Sequence, residues 1–68
     1  MTFTIRQEKT QKHYICVDYC PFTGVYTTSL CRLVGAEYID EKSGNYSNKK
    51  SALSCFYRYR REAKNEEI

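Results

Sequence analysis

The chain changes its hydrophobic period once, near Ser47, and that switch constrains the fold more than any other feature. Before it the pattern is that of strands. Phe3 and Ile5 alternate with Thr4 and Arg6. Ile15, Val17 and Tyr19 alternate with Tyr14, Cys16 and Asp18. Such a period of two gives each strand one apolar face. Cys20-Pro21-Phe22-Thr23-Gly24 then punctuates the chain: proline fixes φ and glycine permits a positive φ, so a hairpin loop belongs there. The following ten residues are rich in β-branched and aromatic side chains and read as a third strand.

After Ser47 the period is helical. Ser47 or Asn48 offers an N-cap, and Ala52, Phe56, Tyr59 and Ala63 fall on one stripe with Leu53 and Cys55 at its borders. Strands are predicted over residues 2–8, 13–20 and 25–34, and a helix over 48–64. Residues 35–46 are expected to form a loop: Ala36 to Asp40 fits a short strand or a helical turn equally, and Lys42-Ser43-Gly44-Asn45 is a turn. Glu66, Glu67 and Ile68 are expected to fray. The predicted class is α+β, a single domain over 1–68 with a three-stranded antiparallel sheet packed against one C-terminal helix. Ile5, Ile15, Val17 and either Leu30 or Cys31 should pack beneath the helical stripe, leaving the other sheet face to solvent or a partner.

Sixty-eight residues leave room for only a thin core. Hydrophobic residues at 41% and charged residues at 28% exclude a disordered tail. No apolar run approaches the roughly 20 residues that a membrane-spanning helix needs. The first eight residues lack a secretory layout, so the chain reads as cytoplasmic, with reduced cysteines.

Residues that could carry chemistry are few. Cys16 and Cys20 form one C-x3-C pair, while Cys31 and Cys55 are widely separated, unlike the two tight pairs of a zinc knuckle. A disulfide among them, or His13 completing a zinc set, is the less favoured reading; small buried hydrophobes is the favoured one. His13 has no triad pattern around it and reads as a surface or edge-strand side chain. Glu37, Asp40 and Glu41 read as a solvated loop. The expectation is a non-enzyme with no metal and no cofactor.

The strongest binding signal is basic and aromatic. Five of the eleven basic residues lie between Lys49 and Arg61 with no acid among them, interleaved with Phe56, Tyr57 and Tyr59. Cations meet phosphates and ring faces meet bases or sugars. Arg58, Arg61 and Lys64 follow at intervals of three and form a ridge, with Tyr57 also turned outward. Lys49 and Lys50 stand at the helix N-terminus, where the dipole disfavours cations and an anionic partner would use them. On the sheet, Arg6, Tyr14 and Thr28 are expected to share an exposed surface with Lys12.

The order of elements resembles the N-terminal arm-site-binding domain of tyrosine recombinases. The residues that carry the likeness are His13 to Asp18 for the second strand, Pro21-Phe22-Thr23-Gly24 for the turn, Val25 to Thr28 for the third strand and Asn48-Lys49-Lys50-Ser51-Ala52 for the helix start. The resemblance implies DNA binding, with the sheet entering the major groove and the helix bracing it from behind. The segment from Leu33 to Tyr46 is longer than that family's connection. HicB-like antitoxin domains, which bind a partner protein, share a similar outline.

These readings predict a small nucleic-acid-binding module, with DNA favoured over RNA, of the kind that phages or mobile elements encode. The competing expectation is a protein-binding inhibitor or adaptor, for example a phage protein that blocks a host enzyme or defence complex. Either is expected as a monomer or as a homodimer paired through an edge strand.

Overall fold

A computed structural model of the protein describes residues 2–67. Four strands, β1 (Phe3–Lys9), β2 (His13–Cys20), β3 (Val25–Val34) and β4 (Glu37–Tyr46), precede one helix, α1 (Lys49–Glu66). The strands form a single antiparallel sheet in the order β1-β2-β3-β4. The α+β class with one C-terminal helix holds. The sheet, however, has four strands and not three, because the segment expected to be a loop is β4.

The fourth strand is missed for a physical reason. Residues 41–45, Glu-Lys-Ser-Gly-Asn, are poor strand formers, and nearly all of β4 is exposed. An edge strand needs no apolar alternation when its pairing to β3 carries it. A two-residue turn joins the two strands, with Gly35 at φ 65° in the position that favours glycine. The other predicted turn forms as expected: Gly24, at φ 72°, donates its amide to the Cys20 carbonyl at 2.8 Å.

One face of the sheet is covered by α1. Ile15, Val17 and Leu30 pack against Ala52, Cys55, Phe56, Tyr59 and Ala63, with Tyr26, Tyr46 and Leu53 at the margins. Leu30, not Cys31, points to the helix. Thr28 lies among these residues, fully buried, and donates its hydroxyl to the Ala52 carbonyl at 2.9 Å. Asn48 caps the helix by accepting the Ser51 amide at 2.8 Å.

Two register shifts reassign side chains that alternation alone places on the other face. Between Thr4 and Arg6 the pairing with β2 slips, so Thr4 faces Asp18 while Arg6 faces Val17. Residues directly opposite share a face, and a one-residue bulge therefore turns Arg6 toward the helix and leaves Ile5 38% exposed, outside the core. In β4 the pairing slips beside Glu41: Lys42 opposes Leu30 on the helix side, and Asp40 opposes Cys31 on the open side.

The end of α1 is anchored. His13, 2% exposed at the start of β2, meets Glu67 through Nδ1 at 2.5 Å and Glu66 through Nε2 at 3.0 Å. The expected fraying of Glu66 and Glu67 is therefore not seen; Ile68 lies outside the described residues. Nor is His13 a surface histidine: the helix covers it.

Candidate nucleic-acid interface

The outer face of α1 is built by simple periodicity. Lys50, Tyr57 and Lys64 stand seven residues apart, two turns each, and Arg61 lies four beyond Tyr57. All four are exposed, opposite the buried stripe. From Lys50 to Lys64 the ridge runs about 21 Å. A shallow depression of about 500 Å³ indents it, lined by Tyr57, Arg60, Arg61, Lys64 and Asn65. Arg60, absent from the expected site, extends the basic surface on the β1 side and bonds Glu8 through Nε at 2.7 Å. Its spacing of three from Tyr57 was the available signal.

The acids of the helix are kept off this face. Glu62 pairs with Lys42 at 3.4 Å on the β4 side. Glu66 turns to His13 and Arg32, and Glu67 to His13, Thr10 and the Gln11 amide. Among the described residues, Glu8 is the single carboxylate paired with the ridge cations, at 2.7 Å from Arg60 and 3.9 Å from Lys64. The first turn of α1 holds no acid, so Lys49 and Lys50 add to the positive end of the helix dipole.

The remaining expected site residues are scattered. Arg58 leaves the ridge for the β4 flank, where Nη2 lies 3.5 Å from Cys55 Sγ and the guanidinium 5.8 Å from the Tyr59 ring centroid. Lys12 stands in the β1–β2 turn beside His13, at the C-terminal end of α1. Arg6 stacks against the helix, 5.3 Å from the Tyr57 centroid and 5.8 Å from that of Phe56. Thr28 is buried. Tyr14 is on the opposite side of the sheet. The expected surface of Arg6, Tyr14 and Thr28 therefore does not exist: two of the three lie on the helix-covered face.

The open face itself is not cationic. The pairing places Lys9, Tyr14, Cys16, Asp18, Cys31, Tyr38 and Asp40 on it. Tyr14 and Tyr38 lie with centroids 5.8 Å apart, and Lys9 sits over Tyr38. Burial pushes the Cys31 thiol up to about 12, reinforced by its hydrogen bond to Asp40 at 3.0 Å. Burial likewise raises Cys16 to about 11, with the charges of Asp18 and Asp40 adding to it. The Tyr14 hydroxyl is also raised, first by burial.

The four cysteines are unpaired and do not assemble into one site. Cys16 and Cys31 face away from the helix, Cys55 lies in the core and Cys20 ends β2. His13 stands on the helix side, on the opposite face of the sheet from Cys16 and Cys31, and pairs with neither. No helix among the described residues is long and apolar enough to cross a membrane. Comparison with protein-family models, curated proteins and solved structures gives no match for this chain.

Proposed function

We propose that the protein is a small non-enzymatic nucleic-acid-binding module that meets its ligand with the outer face of α1. The observation that carries this reading is the segregation of charge along the helix. Lys50, Arg60, Arg61 and Lys64 surround Tyr57 on the exposed side, while Glu62, Glu66 and Glu67 are drawn to the flanks and the C-terminal anchor. Surface ion pairs of this kind add little stability, so folding alone gives weak reason for the division. A polyanion gives a strong one.

Duplex DNA is the preferred ligand. Its major groove, about 12 Å wide, admits an α-helix, whereas that of A-form RNA is too deep and narrow. The sheet-in-groove arrangement that the recombinase likeness implies is disfavoured, because Asp18 and Asp40 on the open face outnumber Lys9. Fluorescence anisotropy against labelled duplex and single-stranded DNA at two salt concentrations tests the proposal. Binding to duplex that weakens steeply with salt supports it; no binding at low salt refutes it.

A second reading rests on a different surface. Val34 and Ile39 are 53% and 51% exposed in the β3–β4 hairpin, and β4 is an open edge. A protein partner, or a second copy of the chain, would pair there by strand addition, as an inhibitor or adaptor does. Salt-insensitive capture of a protein with no affinity for DNA would select this reading.

A further inference from the structure

The side chains around His13 bring three distant parts of the chain to one point. His13 opens β2, Glu41 is the bulged residue of β4, and Glu66 closes α1. One ligand-type atom from each lies within 4.8 Å of the others. Beside them opens a cleft of about 370 Å³, lined by Lys12, His13, Arg32, Leu33 and Glu66.

The imidazole is oriented by a partner behind it. Glu67 Oε2 accepts from the Thr10 hydroxyl, Oε1 accepts from the Gln11 amide, and Oε2 also meets His13 Nδ1. A carboxylate so placed is an acceptor, so Nδ1 carries a proton. In the neutral ring Nε2 then presents a lone pair, aimed at Glu66 Oε2 only 3.0 Å away. Two acceptors at that distance need a proton or a metal ion between them. A carboxylate behind a histidine nitrogen, with the other nitrogen aimed at further carboxylates, is the arrangement that holds and orients a metal-ligating imidazole.

We propose that His13 Nε2, Glu41 and Glu66 form a binding site for a first-row divalent metal ion of zinc's class. One nitrogen and two carboxylates suit Zn²⁺ or Co²⁺ better than Mg²⁺ or Ca²⁺, which take all-oxygen shells. Tetrahedral ligands at about 2.1 Å from zinc stand about 3.4 Å apart. His13 Nε2 and Glu66 Oε2, 3.0 Å apart, need to open by only a few tenths of an ångström to reach it. Glu41 and Glu66 have exposed side chains free to close the rest, and a water completes the shell.

Arg32 is the resident competitor. Its Nη2 lies 2.9 Å from Glu66 and 3.4 Å from Glu41, and its side chain is 48% exposed, so it can swing out as the ion enters. The bound ion would clip β2, β4 and α1 together, a staple that suits a domain with so thin a core.

Cobalt titration of the chelator-stripped full chain tests the site. The proposal expects saturable 1:1 binding with visible d–d bands and no thiolate charge-transfer band. Glu41, which pairs with Arg32, can change without touching the His13 anchor. Glu41→Gln should weaken cobalt binding about tenfold or more. Arg32→Ala should strengthen it, an effect that a purely structural role for Arg32 would not produce. Absence of saturable binding, a thiolate band, or equal affinity in Glu41→Gln and wild type each overturns the proposal; the first would mean that a proton alone bridges His13 and Glu66.

Discussion

Arg6 in β1 lies with its guanidinium 5.3 Å from the centroid of the Tyr57 ring, so the edge strand holds the one aromatic on the basic ridge. The contact exists because the bulge between Thr4 and Arg6 turns this side chain to the helix. An exposed cation–π contact contributes about 0.5–1 kcal/mol. Arg6→Ala should therefore lower stability by about that amount in urea denaturation and leave the fold intact. A loss several times larger would mean that Arg6 supports the core instead.

The register of α1 on the sheet rests on Phe56, 1% exposed, and its neighbour Tyr57, 41% exposed. Phe56→Ala should cost about 3–5 kcal/mol, while Tyr57→Ala should cost only about the 0.5–1 kcal/mol of its contact with Arg6. Reversal of the two effects, read by thermal denaturation, would rotate the helix away from the face described.

How far the sequence reveals this structure depends on which force sets each element. The helix stripe, the inward face of β2 and the turn at Gly24 are legible because hydrophobic burial and glycine's freedom dictate them locally. Residues 37–46 are not, since a strand held by pairing to β3 carries no periodicity of its own. The faces of Arg6 and Asp40 are set by bulges that leave no compositional mark. His13 reads as a surface residue because its partners, Glu66 and Glu67, lie more than fifty positions away. Of the candidate site, Tyr57, Arg61 and Lys64 are legible from helical spacing and Lys50 from its place at the helix start. The same spacing misplaces Arg58, which turns to Cys55 and Tyr59, and Thr28 and Arg6 depended on a sheet face that α1 covers.

The thiols should differ sharply in reactivity. Cys20 is lowered below its ordinary value, first by hydrogen bonds from the Thr23 side chain and backbone, and it is less buried than the others. Cys16 and Cys31 are raised to about 11 and about 12. Because the thiolate is the nucleophile, iodoacetamide at pH about 8 should modify Cys20 first in the native protein. Peptide mass spectrometry showing Cys16 or Cys31 modified ahead of Cys20 would contradict the environments assigned to them.

The Glu67 anchor predicts an acid-sensitive helix end. Burial opposes its charge, but hydrogen bonds from Thr10, His13 and the Lys12 and Gln11 amides outweigh it and hold the carboxyl at about 2 instead of 4.5. A depressed carboxyl contributes stability above its unfolded value and loses it as pH falls toward its folded one. In chelator, Glu67→Gln should melt below wild type at neutral pH. The gap should narrow as pH falls from about 4.5 to about 2. A gap independent of pH would show that the charge of Glu67 is not what holds the helix end.

Each ridge cation should register in the salt dependence of DNA binding. Contacts from Lys50, Arg60, Arg61 and Lys64 predict a slope of log affinity against log salt of about −3 to −4. Arg61→Ala should reduce its magnitude by about 1 and leave the melting temperature unaltered. An unchanged slope would remove Arg61 from the interface.

The most direct measurement of the central claim is a ¹⁵N-resolved NMR titration with duplex DNA at low salt, mapping the amides and side chains that shift. Perturbations should concentrate on the exposed face of α1, at Lys50, Tyr57, Arg61 and Lys64, with Tyr14, Cys16 and Asp40 unmoved. Shifts confined to the open sheet face around Tyr14 and Asp40, or no shifts at all, would contradict it.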